Sequence, residues 1–228
     1  IKGENPNNGH GWIFGSWYGN NSPQRIESYV NGTLTKDSSG LFQKPEHAVN
    51  YLESHDGYTF GDFIRIGLGD VKSDEVIKDV DKNAKLTPAQ LKLNKLGALF
   101  LFTSRGISMI QSGQEFARSK VIPLTNQNDP HAGMIDHNTY DKDNEVNYIN
   151  YDHAKMNKDL FDYYKGLIEL RKEFKSFRRA EYDDVKFISV HNNDFALGYE
   201  LKHEDENLVV LFNAHPLNDV VCELPKGM

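Results

Sequence analysis

Ala48-Val49-Asn50-Tyr51-Leu52 is a short apolar run that ends directly in Glu53-Ser54-His55-Asp56-Gly57. A strand closing on a polar cluster is how α/β proteins present functional residues, because ligands sit outside the carboxyl ends of parallel strands. Working outward, Thr87-Pro88-Ala89-Gln90 predicts a helix start: Thr87 caps, Pro88 takes the first helical position and Gln90 completes a capping box. The helix runs from Pro88 to about Ser104. Towards its end Leu96, Ala98, Leu99, Phe100, Leu101 and Phe102 make it apolar on most sides, so deep burial is expected. Gly106 turns the chain into Ile107-Ser108-Met109-Ile110, suited to a buried parallel strand, which closes on Gln111-Ser112-Gly113-Gln114-Glu115. Strand, helix, strand is a βαβ unit, and it sets the fold class as α/β.

The flanks are more irregular. Residues 1–45 are rich in Gly, Asn, Ser and Pro and read as long loop with a short helix near Pro23–Val30. Trp12, Trp17 and Tyr18 in that loop look exposed. A polar stretch from about Gly67 to Lys85 and a second long loop over 117–155 surround the central unit. Leu160, Tyr164, Leu167, Ile168, Phe174 and Phe177 recur at helical spacing and predict a helix from Asn157 to Phe177. After Arg178-Arg179 the period becomes two. Candidate strands are Val185–Val190, Asp194–Leu201, Leu208–Asn213 and Val220–Leu224, joined by turns such as His191-Asn192-Asn193. A domain boundary is expected near residue 180, with 1–179 on one side and an antiparallel β-domain, 180–228, on the other.

Composition excludes several function classes. The 228 residues carry a formal net charge of −7, against the clustered Lys and Arg that nucleic-acid binding needs. No apolar run approaches the roughly 20 residues of a membrane span. Twenty-six aromatic side chains (13 Phe, 11 Tyr, 2 Trp) are too many for a disordered chain. Cys222, the single cysteine, rules out an internal disulfide framework and reads as core. The Ile1 and Met228 ends lack the features of finished termini, so a segment of a longer protein is expected, with its compartment left open.

His55-Asp56 is the most informative candidate. A carboxylate beside an imidazole at a strand's end can stabilise an oxocarbenium-like charge and grip sugar hydroxyls; the alternative is a plain Asp-Gly turn. Glu115 sits in the matching place after the second strand, and accepting backbone N–H bonds within its loop is the favoured alternative to proton chemistry. Asp79-Val80-Asp81-Lys82-Asn83 and Asp141-Lys142-Asp143-Asn144-Glu145 lack the glycine and terminal glutamate of a calcium loop. No cofactor motif and no metal site are expected.

Taken together, these segments resemble the alpha-amylase superfamily, and most closely its pullulanase-type debranching enzymes. Val49-Asn50-Tyr51-Leu52-Glu53-Ser54-His55-Asp56-Gly57-Tyr58-Thr59 resembles the seventh-strand motif of the barrel. Gly106-Ile107-Ser108-Met109-Ile110-Gln111-Ser112-Gly113-Gln114-Glu115-Phe116 resembles the eighth, although Ile107 stands where many relatives have proline. Asn138-Thr139-Tyr140 with Glu145-Val146-Asn147-Tyr148-Ile149-Asn150-Tyr151 is similar to the loop before the last barrel helix. The resemblance implies the C-terminal portion of a (β/α)8 barrel followed by an incomplete antiparallel β-sandwich-like domain. It implies Asp56 as transition-state stabiliser, His55 as a sugar ligand, and Tyr58, Glu115, Tyr140 and Asn144 as substrate-binding residues. The family's nucleophilic Asp and acid Glu belong to motifs absent here. The implied partners are an α-glucan and the missing N-terminal part of the same barrel, and the segment alone is expected to be inactive. An α-1,4-acting amylase is the alternative within the superfamily; a non-catalytic carbohydrate-binding module is the alternative outside it.

Overall fold

The computed structural model describes residues 1–38, 40–190 and 193–224. In chain order the elements are β1 (Gly3–Asn5), β2 (Gly9–His10), α1 (Pro23–Val30), β3 (Val49–Asn50), α2 (Phe60–Gly67), α3 (Val80–Ala84), α4 (Pro88–Thr103), β4 (Ile107–Ser108), α5 (Tyr151–Met156), α6 (Lys158–Glu173), α7 (Ser176–Arg179), β5 (Val185–Ile188), β6 (Ala196–His203) and β7 (Glu206–Asn213). β3 and β4 pair in parallel, Val49 opposite Ile107 and Asn50 opposite Ser108, with α4 as their crossover. That is the βαβ unit, with each strand shorter than its apolar run.

α4 begins as its sequence dictates. Thr87 Oγ1 accepts from Gln90 N at 3.3 Å, and Gln90 Oε1 accepts from Thr87 N at 3.0 Å, so each side chain satisfies the other residue's orphan amide. α1 starts the same way, with Ser22 Oγ accepting from Arg25 N and Pro23 in the first turn. α4 packs on α6, and Arg171 of α6 donates to the carbonyls of Phe102, Ser104 and Gly106, closing off the exposed end of α4. Asn50 Nδ2 donates to Arg105 O and Ser108 Oγ to Leu101 O, which seats one face of the β3–β4 pair on α4.

β5, β6 and β7 form an antiparallel meander, β6 central, Val185 opposite Leu201 and Ala196 opposite Asn213. One apolar cluster runs from the helices into this sheet: the Trp12 ring lies 5.6 Å from Phe100 and 5.9 Å from Phe212. Tyr199 donates its hydroxyl to Thr103 O at 3.0 Å, giving its buried polar tip a partner.

Several expectations are corrected. Trp12 is fully buried and Trp17 stacks on Phe195, so that loop offers no row of free rings. α2 was not anticipated: it is only about two turns long, and every residue from Phe60 to Ile66 is buried, Asp62 and Arg65 included, so a charged pair stands where a core helix is expected to be apolar. The helix expected from Asn157 to Phe177 breaks at Phe174 into α6 and α7. The segment 220–224 forms no strand; Cys222 makes one isolated bridge with Val190 and is half-buried, not core. The turn expected at His191-Asn192 lies outside the described residues. The described residues of the C-terminal region form one sheet, with no second sheet facing it.

Candidate functional site

His55 and Asp56 follow β3 at its carboxyl end. His55 Nε2 lies 3.2 Å from Asp56 Oδ2, and the two side chains are 69% and 66% exposed, open to a ligand from solution. The backbone around them is pinned from both sides. Asp56 bridges to Asn138, and the Lys120 ammonium donates to His55 O at 3.3 Å. The Tyr140 ring meets His55 edge-on, centroids 6.4 Å apart, and is itself largely exposed. Tyr58 is half-buried against His137, ring centroids 5.8 Å apart, and burial raises its hydroxyl pKa.

Beneath the pair lies a charged network that sequence reasoning missed. Asp62, on α2, is fully buried; its Oδ1 accepts from Arg65 Nη1 at 3.2 Å and Ser119 Oγ at 2.5 Å, its Oδ2 from Lys120 N at 2.8 Å. Arg65 also donates to the carbonyls of Asn83, Ala84 and Ala117. Lys120 is fully buried, which lowers its pKa. Glu53 accepts from Phe60 N through Oε2, while Oε1 has no partner. Burial pushes the Glu53 carboxyl up to about 7, against the opposing pull of the Phe60 amide and of Arg118 and Lys120. Asp62 and Arg65 are three residues apart on α2, but Ser119, Lys120, Ala117 and Asn83 reach them from far along the chain, and no local spacing announces those partners.

The remaining expected residues serve their own loops. Glu115 accepts from Gly113 N at 2.8 Å, the loop-structuring arrangement that was the alternative to chemistry. Asn144 Oδ1 accepts from Val146 N at 3.0 Å, capping the single turn Glu145–Asn147. Asn147, not singled out beforehand, clamps the Tyr140 loop: Nδ2 donates to Thr139 O and Lys142 O, and Oδ1 accepts from Thr139 Oγ1 at 2.7 Å. Asp79 caps α3 through Lys82 N. Among the described residues no three His, Cys, Asp or Glu side chains converge as metal ligands. None of their helices is long and apolar enough to cross a membrane.

Comparison with known proteins bears out the motif resemblance. Pullulanase of Bacillus subtilis is 26% identical over 196 residues, covering 82% of this chain and 23% of that protein. Chloroplastic isoamylase 1 of Arabidopsis thaliana is 25% identical over 173 residues, covering 68% of this chain and 20% of its own length. The structure of Bacillus subtilis type I pullulanase complexed with maltose superimposes with a TM-score of 0.66 at 22% identity, over 90% of this chain and 26% of that one. A product complex of a glycogen-degrading pneumococcal virulence factor gives 0.67 at 22% identity, over 94% and 24%. No family model matches the chain. The chain thus spans about a fifth of the length of the curated relatives it matches.

Proposed function

We propose that this chain is the portion of a retaining α-glucan hydrolase that carries the seventh and eighth strands of its barrel, acting on α-1,6 bonds of pullulan, glycogen or limit dextrins. One observation carries the reading. His55 and Asp56 stand open at the carboxyl end of β3, beside a parallel β4, with Tyr140 leaning on His55.

In this reading Asp56 accepts hydrogen bonds from two sugar hydroxyls and stabilises the positive charge that develops on the ring. His55 donates to the same sugar, and Tyr140 and Tyr58 wall the site. Lys120 and Asp62 hold the loop, so little reorganisation accompanies the reaction. Retaining hydrolysis also needs a nucleophile and an acid roughly 5–5.5 Å apart. Asp56 serves as neither here, and the Glu115 carboxylate is engaged by Gly113 N–H. Both roles fall to residues outside this chain, which alone hydrolyses nothing.

The test is a reducing-end assay on pullulan and on amylose, with the 228-residue chain and with the whole polypeptide that contains it. The chain alone releases no sugar. The whole polypeptide cleaves pullulan, and D56N lowers its kcat by about 10³-fold with the fold intact, the order seen when one charge-stabilising group is lost. Cleavage by the isolated chain would overturn the division of labour. Cleavage of amylose with pullulan untouched would move the assignment to the α-1,4 enzymes.

A further inference from the structure

The least satisfied charge in the described structure lies far along the chain from His55. Arg105 follows α4, tied by its backbone to Val30 O and Asn50 Nδ2. Its side chain is carried into the junction between the helices and the β5–β7 sheet. The residue is 3% exposed, yet Nε and Nη1 are buried with no hydrogen-bond partner. No carboxylate lies within ion-pair distance among the described residues. Arg65 and Arg171 spend their donors on carbonyls and, for Arg65, on Asp62; Arg118, whose Nε is also unpartnered, still donates to Ser112 O, Val146 O and Asn147 Oδ1. A desolvated cation left unpaired is strongly unfavourable, so Arg105 asks for an acceptor that the chain does not supply.

Its surroundings say what kind. Arg105 lines a cleft of about 580 Å³ between the 34–46 loop, α7 and the β6–β7 turn, a size suited to a small ligand. Five cationic side chains, Lys44 and Arg179 among them, line it against three carboxylates, Glu46, Glu181 and Glu204, which leaves two positive charges. Glu46 and Asp37 also act on the guanidinium from a distance; Asp37 Oδ1 accepts from the Tyr182 hydroxyl at 2.7 Å and its Oδ2 is buried without a partner among the described residues, while the other nearby acids are engaged elsewhere. Asp184 accepts from Glu181 N at 2.7 Å and pairs with His203 Nδ1 at 2.8 Å, Glu181 closes the same capping turn, and Glu204 lies 3.7 Å from Lys175. We infer that this cleft binds a small phosphate-bearing dianion, held by the Arg105 guanidinium, whose fork of donors suits an oxyanion, with Lys44 and Arg179 at the rim. The site is separate from the His55–Asp56 pair and does not depend on the catalytic reading.

The experiment titrates the whole polypeptide with inorganic phosphate and with glycerol 3-phosphate. Binding is followed by calorimetry and by the ¹⁵Nε–H signal of Arg105. Binding moves that signal, and R105Q weakens affinity at least about tenfold, the scale of a lost charge-assisted contact. R179Q, at an exposed position, weakens it about threefold and leaves the interior intact, so the result stands even where R105Q misfolds. Tighter binding of glycerol 3-phosphate assigns a phosphate monoester; equal or tighter binding of inorganic phosphate assigns the free ion. No response at millimolar concentration, or an affinity unchanged in R105Q and R179Q, overturns the site.

Discussion

Asp56 is open to solvent, whereas Glu53, three positions earlier, is sealed under the loop with one oxygen unpartnered. Burial alone gives Glu53 a bearing on stability that depends on pH. Burial lifts Glu53 from 4.5 to about 7, so between those values the folded state holds a proton that the unfolded state has released. Stability is then full below pH 4.5, falls as pH rises towards 7 and levels above it, by roughly 3 kcal/mol over the window. E53Q keeps an acceptor for Phe60 N–H and cannot ionise. Urea midpoints measured from pH 4.5 to 8 are expected to show the variant gaining on the parent as pH rises. Parallel curves for the two proteins would mean that Glu53 keeps its charge inside, held by Arg118 and Lys120.

At the scale of elements, two helical glycines separate propensity from packing. Replacing glycine by alanine inside a helix gains about 1 kcal/mol when nothing else changes. In α6, a Cβ on Gly166 meets nothing within 4 Å, so G166A is expected to gain about that much. In α4, a Cβ on Gly97 falls 2.4 Å from the Phe60 ring. Phe60 is fully buried and has nowhere to go, so overpacking of about 1–3 kcal/mol wins and G97A destabilises. Thermal melts of both variants check the pair; a stabilised G97A would mean that α2 is free to shift away from α4. The same α4–α2 contact marks what was legible beforehand. α4 announced itself through Thr87, Pro88 and Gln90, whose chemistry is local. α2 did not, because its code is its surroundings: it is buried on every side, and its two charged residues, Asp62 and Arg65, are satisfied by each other and by residues far along the chain. β3 and β4 were legible in place and direction but not in length, since each ladders only with the other. His55 and Asp56 could be read from the end of a strand. Lys120, Asp62 and the Asn147 clamp act in good part through backbone carbonyls and amides, which carry no residue signature.

For the molecule as a whole, the sheet that carries the candidate site is finished on one face only. Val49 and Ile107 stand opposite each other, and Tyr51 and Met109 follow on the same side two residues on. Their exposures of 48%, 50%, 55% and 37% make an apolar patch, while Asn50 and Ser108 on the other face are tied down around α4. Both outer edges of the pair also leave backbone N–H and C=O groups without a strand partner, and an open apolar edge invites further strands. Under the proposed function, further strands of a barrel would cover face and edges together, which fits a chain that spans about a fifth of its relatives. The 228-residue chain by itself is therefore expected to self-associate through this face. Light scattering from micromolar to higher concentration should show a mass that climbs with concentration, and V49K/I107K should lower it towards the monomer with helix content unchanged, because neither side chain is buried. A parent that stays monomeric throughout would mean that two parallel strands on one helix suffice, and the face would then have to be explained without the rest of a barrel.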